Sequence, residues 1–314
     1  MALDTRKTIG SLHVSPLALG GNVFGWTADE TSSFAVLDAY VEAGGNFIDT
    51  ADAYSVWVEG HTGGESESII GRWIAARGNR SDLVIATKVG AHPRLKGLSA
   101  ATITKAVEAS LTRLRTDYVD LYYTHVDDES VPVPEFLTAL DSLVTAGKVR
   151  EIGASNIAPS RLHEALAFSE KEKISRYAAV QPHYNLIVRD LYEGGLARVT
   201  ARHGLAVVPY FALAKGFLTG KYLPGRQTDS ARGGQAARYL ETPRGRRVLA
   251  TLHAVAAAHH VQPAAVALAW LAAQPTVTAP LASARTPQQL EQLLAFSDIT
   301  LSQGELDALT AASD

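Results

Sequence analysis

Asn46-Phe47-Ile48-Asp49-Thr50-Ala51-Asp52-Ala53-Tyr54 joins a short apolar segment to a polar one, and the prediction of the fold begins there. The apolar part, residues 46–48, follows a glycine pair and predicts a parallel strand that is covered on both faces. Asp49 stands where that strand ends, and Tyr54 follows in the next loop. An isolated Asp at a strand end more often forms a turn or caps a helix than takes part in catalysis. Asp49 therefore has to be considered together with the ends of the other strands.

Bulk composition limits the class of protein. Of the 314 residues, 46% are apolar and 19% are charged, which is typical of a protein with a large core. A net charge of −3 gives no reason to expect a nucleic acid or an electrostatic membrane anchor as partner. The absence of cysteine excludes disulfides, thiolate zinc sites and thiol nucleophiles. Residues 1–10 lack the apolar core of a signal peptide, and no apolar run is long enough to span a membrane, so the expected location is the cytoplasm.

Apolar segments that predict strands alternate with helical patterns along the whole chain. Strict alternation predicts a parallel sheet, and eight such units close into a barrel. An open, doubly wound sheet is the alternative, but it usually has G-x-G-x-x-G after its first strand, whereas residues 20–25 read GGNVFG. We therefore predict one α/β domain over residues 1–314, a (β/α)8 TIM barrel. Its predicted strands cover residues 17–21, 46–49, 83–88, 118–125, 149–155, 177–181, 205–210 and 277–282.

Four further segments complete the predicted fold. Residues 7–15 alternate polar and apolar side chains around Gly10-Ser11, which predicts an N-terminal β-hairpin. Asp190 to His203 is predicted to be helical, and residues 302–311 predict an extra C-terminal helix outside the barrel. Ala212 to Gly245 is too long for an ordinary connection and predicts a mobile functional loop.

Polar side chains collect at the predicted carboxyl ends of the strands, where the active sites of such barrels lie. Lys88 is the most informative of them, because it closes the otherwise apolar run from Leu83 to Thr87. An ammonium buried there would be costly unless it were paired, and Asp49 on the neighbouring strand is the expected partner. The strand-end set consists of Asp49, Tyr54, Lys88, His125, Ser155, Asn156, Gln181 and Tyr210.

Asp49, Lys88 and Tyr54 in contact would form a proton-delivery device. A free phenol has a pKa of about 10, and a nearby ammonium is expected to lower the pKa of Tyr54. Asp49 would keep Lys88 charged and oriented, while His125 could donate a hydrogen bond to a substrate carbonyl. This set suits reduction of a carbonyl by hydride with Tyr54 as general acid, and no nucleophile for acyl transfer is evident.

The order and spacing of several segments resemble the aldo-keto reductase family over nearly the whole chain. The family's catalytic tetrad would fall on Asp49, Tyr54, Lys88 and His125. The segments that carry the resemblance are GNFIDTADAY (45–54), ATK (86–88), DLYYTH (120–125), IGASN (152–156), QPHYN (181–185) and GFLTGK (216–221).

The resemblance implies a nicotinamide cofactor, usually NADPH, bound across the barrel mouth without a Rossmann domain. Ser155, Asn156 and Gln181 would hold its carboxamide, and Tyr210 would stack on the nicotinamide ring. Residues 211–216 would line the pyrophosphate, and Arg285 would suit a 2′-phosphate because a guanidinium offers a fixed fork of donors. The implied cofactor set is Gly21, Asp49, Ser155, Asn156, Gln181, Tyr210, Phe211, Leu213, Lys215, Gly216, Ser283, Arg285 and Gln289.

The sequence departs from the family pattern mainly where the cofactor would bind. Phe211-Ala212-Leu213 stands where relatives often have Ser-Pro-Leu, and Lys215 adds a cation where they have glycine. Ser283 replaces a usual glycine, and Leu293 replaces a usual asparagine. The sequence therefore leaves open which contacts hold the cofactor, and it also leaves open the choice between NADPH and NADH.

The remaining aromatic and histidine residues receive simpler interpretations. Trp26 and Trp57 follow the first two strands and are predicted to wall an apolar substrate pocket at the mouth. Trp270 on an Ala-rich helix is expected in the core, while His253 and His259-His260 are expected on the surface rather than as metal ligands. The Arg-rich stretch 226–247 is expected to be solvated, because it has few aromatic residues to bind nucleic acid.

Two other functions remain open at this stage. The same fold could serve as a cofactor-sensing regulatory subunit with little turnover, although the intact tetrad argues against inactive chemistry. A metal-dependent barrel hydrolase would use Asp49, Asp52, His125, Asp127 and Asp128 as ligands, but Lys88 would repel a divalent cation there. We favour a reductase of small-molecule carbonyl compounds without a metal; the sequence names neither the substrate nor the oligomeric state.

Overall fold

Eight parallel strands form the central sheet of the protein, which a computed structural model describes for residues 3–222 and 233–314. In chain order the strands are β1 (Lys7–Ile9), β2 (Leu12–Val14), β3 (Ala18–Gly20), β4 (Phe47–Asp49), β5 (Val84–Val89), β6 (Ala91–His92), β7 (Leu95–Lys96), β8 (Val119–Thr124), β9 (Val149–Ser155), β10 (Tyr177–Gln181), β11 (Ala206–Val207) and β12 (Leu281–Ala282). The sheet order is β11-β10-β9-β8-β5-β4-β3-β12, and β1–β2 and β6–β7 form separate antiparallel hairpins.

Hydrogen bonds between the two ends of the sheet close it into a barrel. The Leu281 N–H donates to the Pro209 carbonyl at 3.0 Å, and the Thr278 N–H donates to the Val207 carbonyl at 2.8 Å. The (β/α)8 barrel predicted from the sequence is therefore confirmed. Its edges are satisfied by pairing, as closure of a barrel requires.

Helices follow the strands and cover the outside of the barrel. Several begin at side-chain caps: Asp29 and Ser99 each accept a hydrogen bond from a backbone N–H in the first turn, and Ser302 forms a capping box with Glu305. The helices are α1 (Glu30–Glu42), α2 (Glu65–Arg77), α3 (Ala100–Leu114), α4 (Val133–Thr145), α5 (Pro159–Glu172), α6 (Gly195–His203), α7 (Gly233–Ala237), α8 (Pro243–Ala258), α9 (Pro263–Ala272), α10 (Pro287–Leu294) and α11 (Gln303–Ala312).

The alternation of side chains along each strand separates two apolar clusters and aims the site residues. Phe47, Val84 and Ala86 belong to the cluster inside the barrel, whereas Ile48 and Ile85 pack outward against the helices. Asp49 has the parity of Phe47, and Lys88 has the parity of Ala86, so both project inward near the carboxyl ends of their strands. The fold thus brings a carboxylate and an ammonium to the same end of the barrel.

The ends of the chain lie where the sequence predicted them. Ile9, Leu12 and Val14 of the β1–β2 hairpin join the inner cluster and cover the end of the barrel opposite the site. α11 packs against α8 with Leu309 buried. Both the N-terminal hairpin and the extra C-terminal helix are confirmed.

Three predicted boundaries were wrong. Helix α6 begins at Gly195 rather than Asp190, because residues 190–194 form a turn in which Gly194 has a φ of 105°. The continuous ladder of β11 ends at Val207, short of the predicted 210, because Pro209 lacks an N–H, and Tyr210 pairs with His183 only in an isolated bridge. The last strand covers only Leu281–Ala282, directly after Pro280.

The segment 212–245, which the sequence predicts to be a mobile functional loop, contains short helical elements. Ala214–Thr219 and Arg238–Glu241 form 3-10 turns, and α7 lies between them. Residues 223–232 of this prediction lie outside the described residues. No single helix in the described ranges is long and apolar enough to cross a membrane; α8 and α9 pass that test only when counted together across a 98° bend.

Candidate active site

A buried ion pair forms the floor of the site. The Lys88 ammonium lies 2.5 Å from Asp49 Oδ1, and the two side chains are 1% and 0% exposed. Lys88 also donates to the Thr50 carbonyl at 2.7 Å. Although burial lowers the pKa of Lys88, the Asp49 carboxylate and the Tyr54 phenol outweigh it, and the pKa is raised. Lys88 therefore stays charged, as the sequence argument required.

Tyr54 lies directly over this pair. Its hydroxyl accepts a hydrogen bond from Lys88 Nζ at 2.9 Å and reaches Asp49 Oδ1 at 3.4 Å. The His125 ring stands edge-on to Tyr54 with a centroid distance of 6.0 Å. The four residues of the predicted tetrad are therefore neighbours, contributed by β4, the loop after it, β5 and the end of β8.

The predicted net lowering of the Tyr54 pKa was wrong. Burial raises the pKa of Tyr54 to about 12, even though the charge on Lys88 acts in the opposite direction. Burial, helped by repulsion from Lys88, lowers the pKa of His125 to about 3. At neutral pH the site therefore holds a protonated phenol beside a neutral imidazole, and both can donate a hydrogen bond.

Gln181 ties the floor of the site to β10. Its Nε2 donates to Asp49 Oδ2 at 2.8 Å, and its backbone carbonyl accepts from Ser155 Oγ at 2.8 Å. Asn156, which has a φ of 51°, donates through Nδ2 to the His125 carbonyl at 2.8 Å. Three side chains predicted to hold a carboxamide are thus already fixed by neighbours in the barrel mouth.

One face of Tyr210 is covered from within the protein. The His183 ring stacks on it at 5.3 Å with an interplanar angle of 26°, and the Tyr210 hydroxyl donates to Asn156 Oδ1 at 2.7 Å. Asn185 is fully buried and donates to the Phe211 carbonyl at 2.9 Å, which holds the turn after Tyr210. No role for His183 or Asn185 was predicted from the sequence; the available signal was their place in the QPHYN segment, which begins at Gln181.

A cavity of about 770 Å³ opens above these residues. Most of the predicted cofactor and substrate residues line it, but Gly21 does not: its carbonyl accepts from Ser66 Oγ, and a Cβ on it would come within 2.8 Å of that oxygen. Asp49 and Lys88 lie beneath Tyr54. Predicted residues on the wall are Trp26, Tyr54, Trp57, His125, Ser155, Asn156, Gln181, Tyr210, Phe211, Leu213, Lys215, Gly216, Ser283, Arg285 and Gln289.

The part of the cavity formed after β11 and β12 carries cationic side chains. Lys215 Nζ donates to Gln235 Oε1 at 2.7 Å. The backbone of Lys215 is left-handed, with a φ of 59°. Arg285 also lines the cavity, and its backbone N–H donates to Gln289 Oε1 at 3.0 Å. Lys221 is a further cationic residue on the wall, and it was not predicted from the sequence.

Trp26 and Trp57 occupy the part of the wall formed after β3 and β4, as predicted. Their rings meet edge to face at 5.5 Å. The other aromatic and histidine predictions also agree with the structure: Trp270 is fully buried, and His253 is exposed. His259 pairs with Glu305 at 2.8 Å on the outside of the barrel.

The acidic residues near the mouth do not assemble into a metal site. In residues 3–222 and 233–314, no three His, Asp or Glu side chains are grouped so that they could hold a metal ion. Asp127 instead pairs with Arg161, and Asp128 accepts hydrogen bonds from Ser130 and Leu98.

Comparison with known proteins agrees with this geometry. Residues 16–314 match the Aldo/keto reductase family. The chain is 33% identical to "Protein tas" of Escherichia coli (strain K12), with 96% of this chain and 94% of that protein covered. It is 36% identical to the "Uncharacterized oxidoreductase YrpG" of Bacillus subtilis (strain 168), covering 92% and 89%. It is 33% identical to the "Norsolorinic acid reductase stcV" of Emericella nidulans, covering 95% and 78%.

The fold, the site and these matches define an oxidoreductase class whose members generally use nicotinamide cofactors. This chain belongs to the aldo/keto reductase family.

Proposed function

We propose that this protein reduces aldehydes or ketones to alcohols by using NADPH, with Tyr54 as the general acid. The observation that carries the proposal is the contact of the Tyr54 hydroxyl with Lys88 at 2.9 Å beneath a cavity that Tyr54 itself lines. This arrangement offers a proton to a ligand in the cavity and a positive charge behind the phenol. We also propose that residues 1–314 act as one domain.

Tyr54, Lys88 and Asp49 each have a separate role in proton transfer. Tyr54 keeps its proton at neutral pH, as a free phenol would, and burial raises its pKa further, to about 12. As the proton moves to a substrate carbonyl oxygen, negative charge grows on the phenol oxygen, where Lys88 already donates a hydrogen bond. Asp49 holds that ammonium in place, so little reorganisation is needed when the charge appears.

His125 is suited to orient the substrate rather than to exchange protons. Because burial lowers the pKa of His125 to about 3, its ring is neutral and can donate one hydrogen bond. A carbonyl oxygen placed between His125 and Tyr54 would be polarised before proton transfer.

The donor set of the cavity fits a nicotinamide dinucleotide. When bound, that cofactor supplies the hydride. Tyr210, supported on one face by His183, offers its other face to an aromatic ring, and Lys215 and Arg285 offer cations to phosphates. Arg285 favours NADPH over NADH because its guanidinium matches an additional phosphate. Ser155, Asn156 and Gln181 would hold the carboxamide, and Phe211, Leu213, Gly216, Ser283 and Gln289 would line the remainder.

Loss of NADPH absorbance in the presence of a panel of aldehydes and ketones tests this function, with NADH as the parallel cofactor. The proposal expects carbonyl-dependent oxidation with NADPH and a higher KM for NADH. Arg285→Met should remove most of the preference for NADPH over NADH. Lys221→Met also removes a cation from the cavity wall and serves as the matched control; it should retain more of the preference for NADPH. Tight NADPH binding with no turnover on the whole panel would contradict the proposed function and would favour a cofactor-sensing role.

A further inference from the structure

Aromatic rings at steep angles form a corner in the cavity beside the proton donor. Trp26 and Trp57 meet at 84° with centroids 5.5 Å apart, and Tyr54 and Trp57 meet at 62° with centroids 6.2 Å apart. Tyr54 and His125 meet at 77°. We call Trp26, Trp57 and Tyr54 the aromatic corner. None of these pairs is parallel, so a flat ring that lies against one member meets another edge-on.

Trp57 is exposed to an unusual degree for its size. Its relative exposure is 48%, and among the described residues only Leu191 shares its status as an exposed large hydrophobic side chain. Trp57 lines the cavity, so part of this exposed surface faces the space in which a ligand would lie. Covering an exposed indole with an apolar ligand is favourable because it removes apolar surface from water.

The loops that carry the two tryptophans offer only neutral surface to the cavity. Apart from the aromatic corner itself, the wall residues after β3 and β4 are Asn22, Val23, Thr27, Ala53 and Val56, and none of these five is ionisable. The cationic wall residues Lys215, Lys221 and Arg285 belong to the segments after β11 and β12. The chemistry of the corner therefore suits an uncharged, apolar group.

Resting on the carbonyl reduction proposed above, we infer that the substrate is an uncharged planar aromatic aldehyde or ketone whose ring lies face to face with Trp57. In that position the carbonyl can reach Tyr54, whose ring centroid is 6.2 Å from that of Trp57. Offset stacking of two aromatic rings contributes beyond the area that it buries, and a puckered aliphatic ring of equal size cannot obtain that contribution. The inference assigns Trp57 as the residue that selects flat substrates.

Benzaldehyde and cyclohexanecarbaldehyde provide a matched pair of substrates, because they have the same number of carbons and differ in planarity. The kcat/KM for each is measured with NADPH for the unaltered protein, Trp57→Leu and Trp57→Phe. We expect Trp57→Leu to lower kcat/KM for benzaldehyde about fivefold more than for cyclohexanecarbaldehyde, which is the size of one stacking contact. Trp57→Phe, which retains a ring face, should keep most of the preference.

The outcomes separate this inference from the function on which it rests. Equal losses for the two aldehydes in Trp57→Leu, with both still reduced, would overturn the assignment of Trp57 and leave carbonyl reduction standing. The assignment of Trp57 would also be overturned if Trp57→Phe lost the preference for benzaldehyde as completely as Trp57→Leu does. No reduction of benzaldehyde by an unaltered protein that reduces other compounds of the carbonyl panel would overturn the inferred substrate class, whereas no reduction on the whole panel would refute carbonyl reduction itself. Thermal unfolding of each variant checks that the exposed position tolerates the change.

Discussion

Gln181 Nε2 donates a 2.8 Å hydrogen bond to Asp49 Oδ2, and this bond crosses the barrel mouth from β10 to β4. The other carboxylate oxygen, Oδ1, receives Lys88. Both oxygens of a fully buried carboxylate are therefore satisfied by side chains from two different strands. Gln181 helps to fix the ion pair that supports Tyr54, in addition to any contact it makes with a cofactor.

Gln181→Leu should destabilise the fold by about 1–3 kcal/mol, because it leaves a buried carboxylate oxygen without a donor while conserving most of the side-chain volume. Urea unfolding measures the change in the free energy of unfolding. Gln292→Leu, which alters another glutamine on the cavity wall, serves as the control. Equal stability of the two variants would show that the bond to Asp49 contributes nothing.

Lys88→Met should cost about 3–5 kcal/mol, since removing one partner of a buried ion pair leaves an uncompensated charge. The double variant Asp49→Asn/Lys88→Met removes both charges and should be more stable than Lys88→Met alone. Chemical denaturation of the two variants measures the difference. A double variant less stable than the single one would mean that the pair is held mainly by packing.

Asp52→Asn should stabilise the protein increasingly as the pH rises from about 4 to 8. The Asp52 carboxyl is buried, no described side chain donates a hydrogen bond to it, and burial with the nearby Glu67 charge raises its pKa to about 8. Between the unfolded and folded pKa values, the unfolded chain has lost the proton that the folded chain retains. The unaltered protein therefore loses stability as the pH rises through this window. The Asp52→Asn variant does not, because asparagine has no proton to lose in this range.

Urea unfolding at pH 4, 6 and 8 measures this advantage, which should be small at pH 4 and reach several kcal/mol at pH 8, given about 1.4 kcal/mol for each tenfold change in proton affinity. The positive charges of Arg113 and Lys88 lower the pKa of Asp52, but they do not outweigh burial and the Glu67 charge, which raise it. An advantage that does not vary with pH would refute the raised pKa.

Much of the site could be predicted from the sequence because strand parity carries geometric information. Asp49 and Lys88 each end an apolar strand, and the alternation of side chains places both inside the barrel. Tyr54 follows Asp49 closely enough for the intervening loop to return it to the same end. Short, ordered segments of this kind leave little freedom in where their side chains lie.

The net effect of the surroundings on Tyr54 could not be predicted in the same way. The sequence shows that a lysine is near, but it does not show how deeply the phenol is buried, and burial decides the direction of the pKa shift. The support of Tyr210 by His183 was also missed, because it depends on how the turn after β10 brings two rings together. Partners that meet across loops have no periodicity to reveal them.

Lys215→Gly should stabilise the fold relative to Lys215→Ala while both variants bind NADPH about tenfold or more weakly. The left-handed backbone at position 215 destabilises the folded state of any variant with a Cβ by about 1–2 kcal/mol, and glycine avoids this strain. Glycine also has more conformational freedom in the unfolded chain, which cancels about half of that advantage. In the proposed complex with NADPH, loss of the ammonium would remove a charged hydrogen bond to a phosphate in either variant. Thermal unfolding and NADPH titration measure the two effects; a glycine variant less stable than the alanine variant would contradict the strain.

The proton donor is the central claim, and turnover by Tyr54→Phe tests it most directly. This change removes one oxygen and leaves the ring, the Asp49–Lys88 pair and the cavity wall in place. The account predicts that kcat falls by at least about a hundredfold, the usual size of a general acid's contribution, while the Kd for NADPH changes less than threefold. A Tyr54→Phe variant that reduces carbonyl compounds at a rate close to that of the unaltered protein would contradict the account.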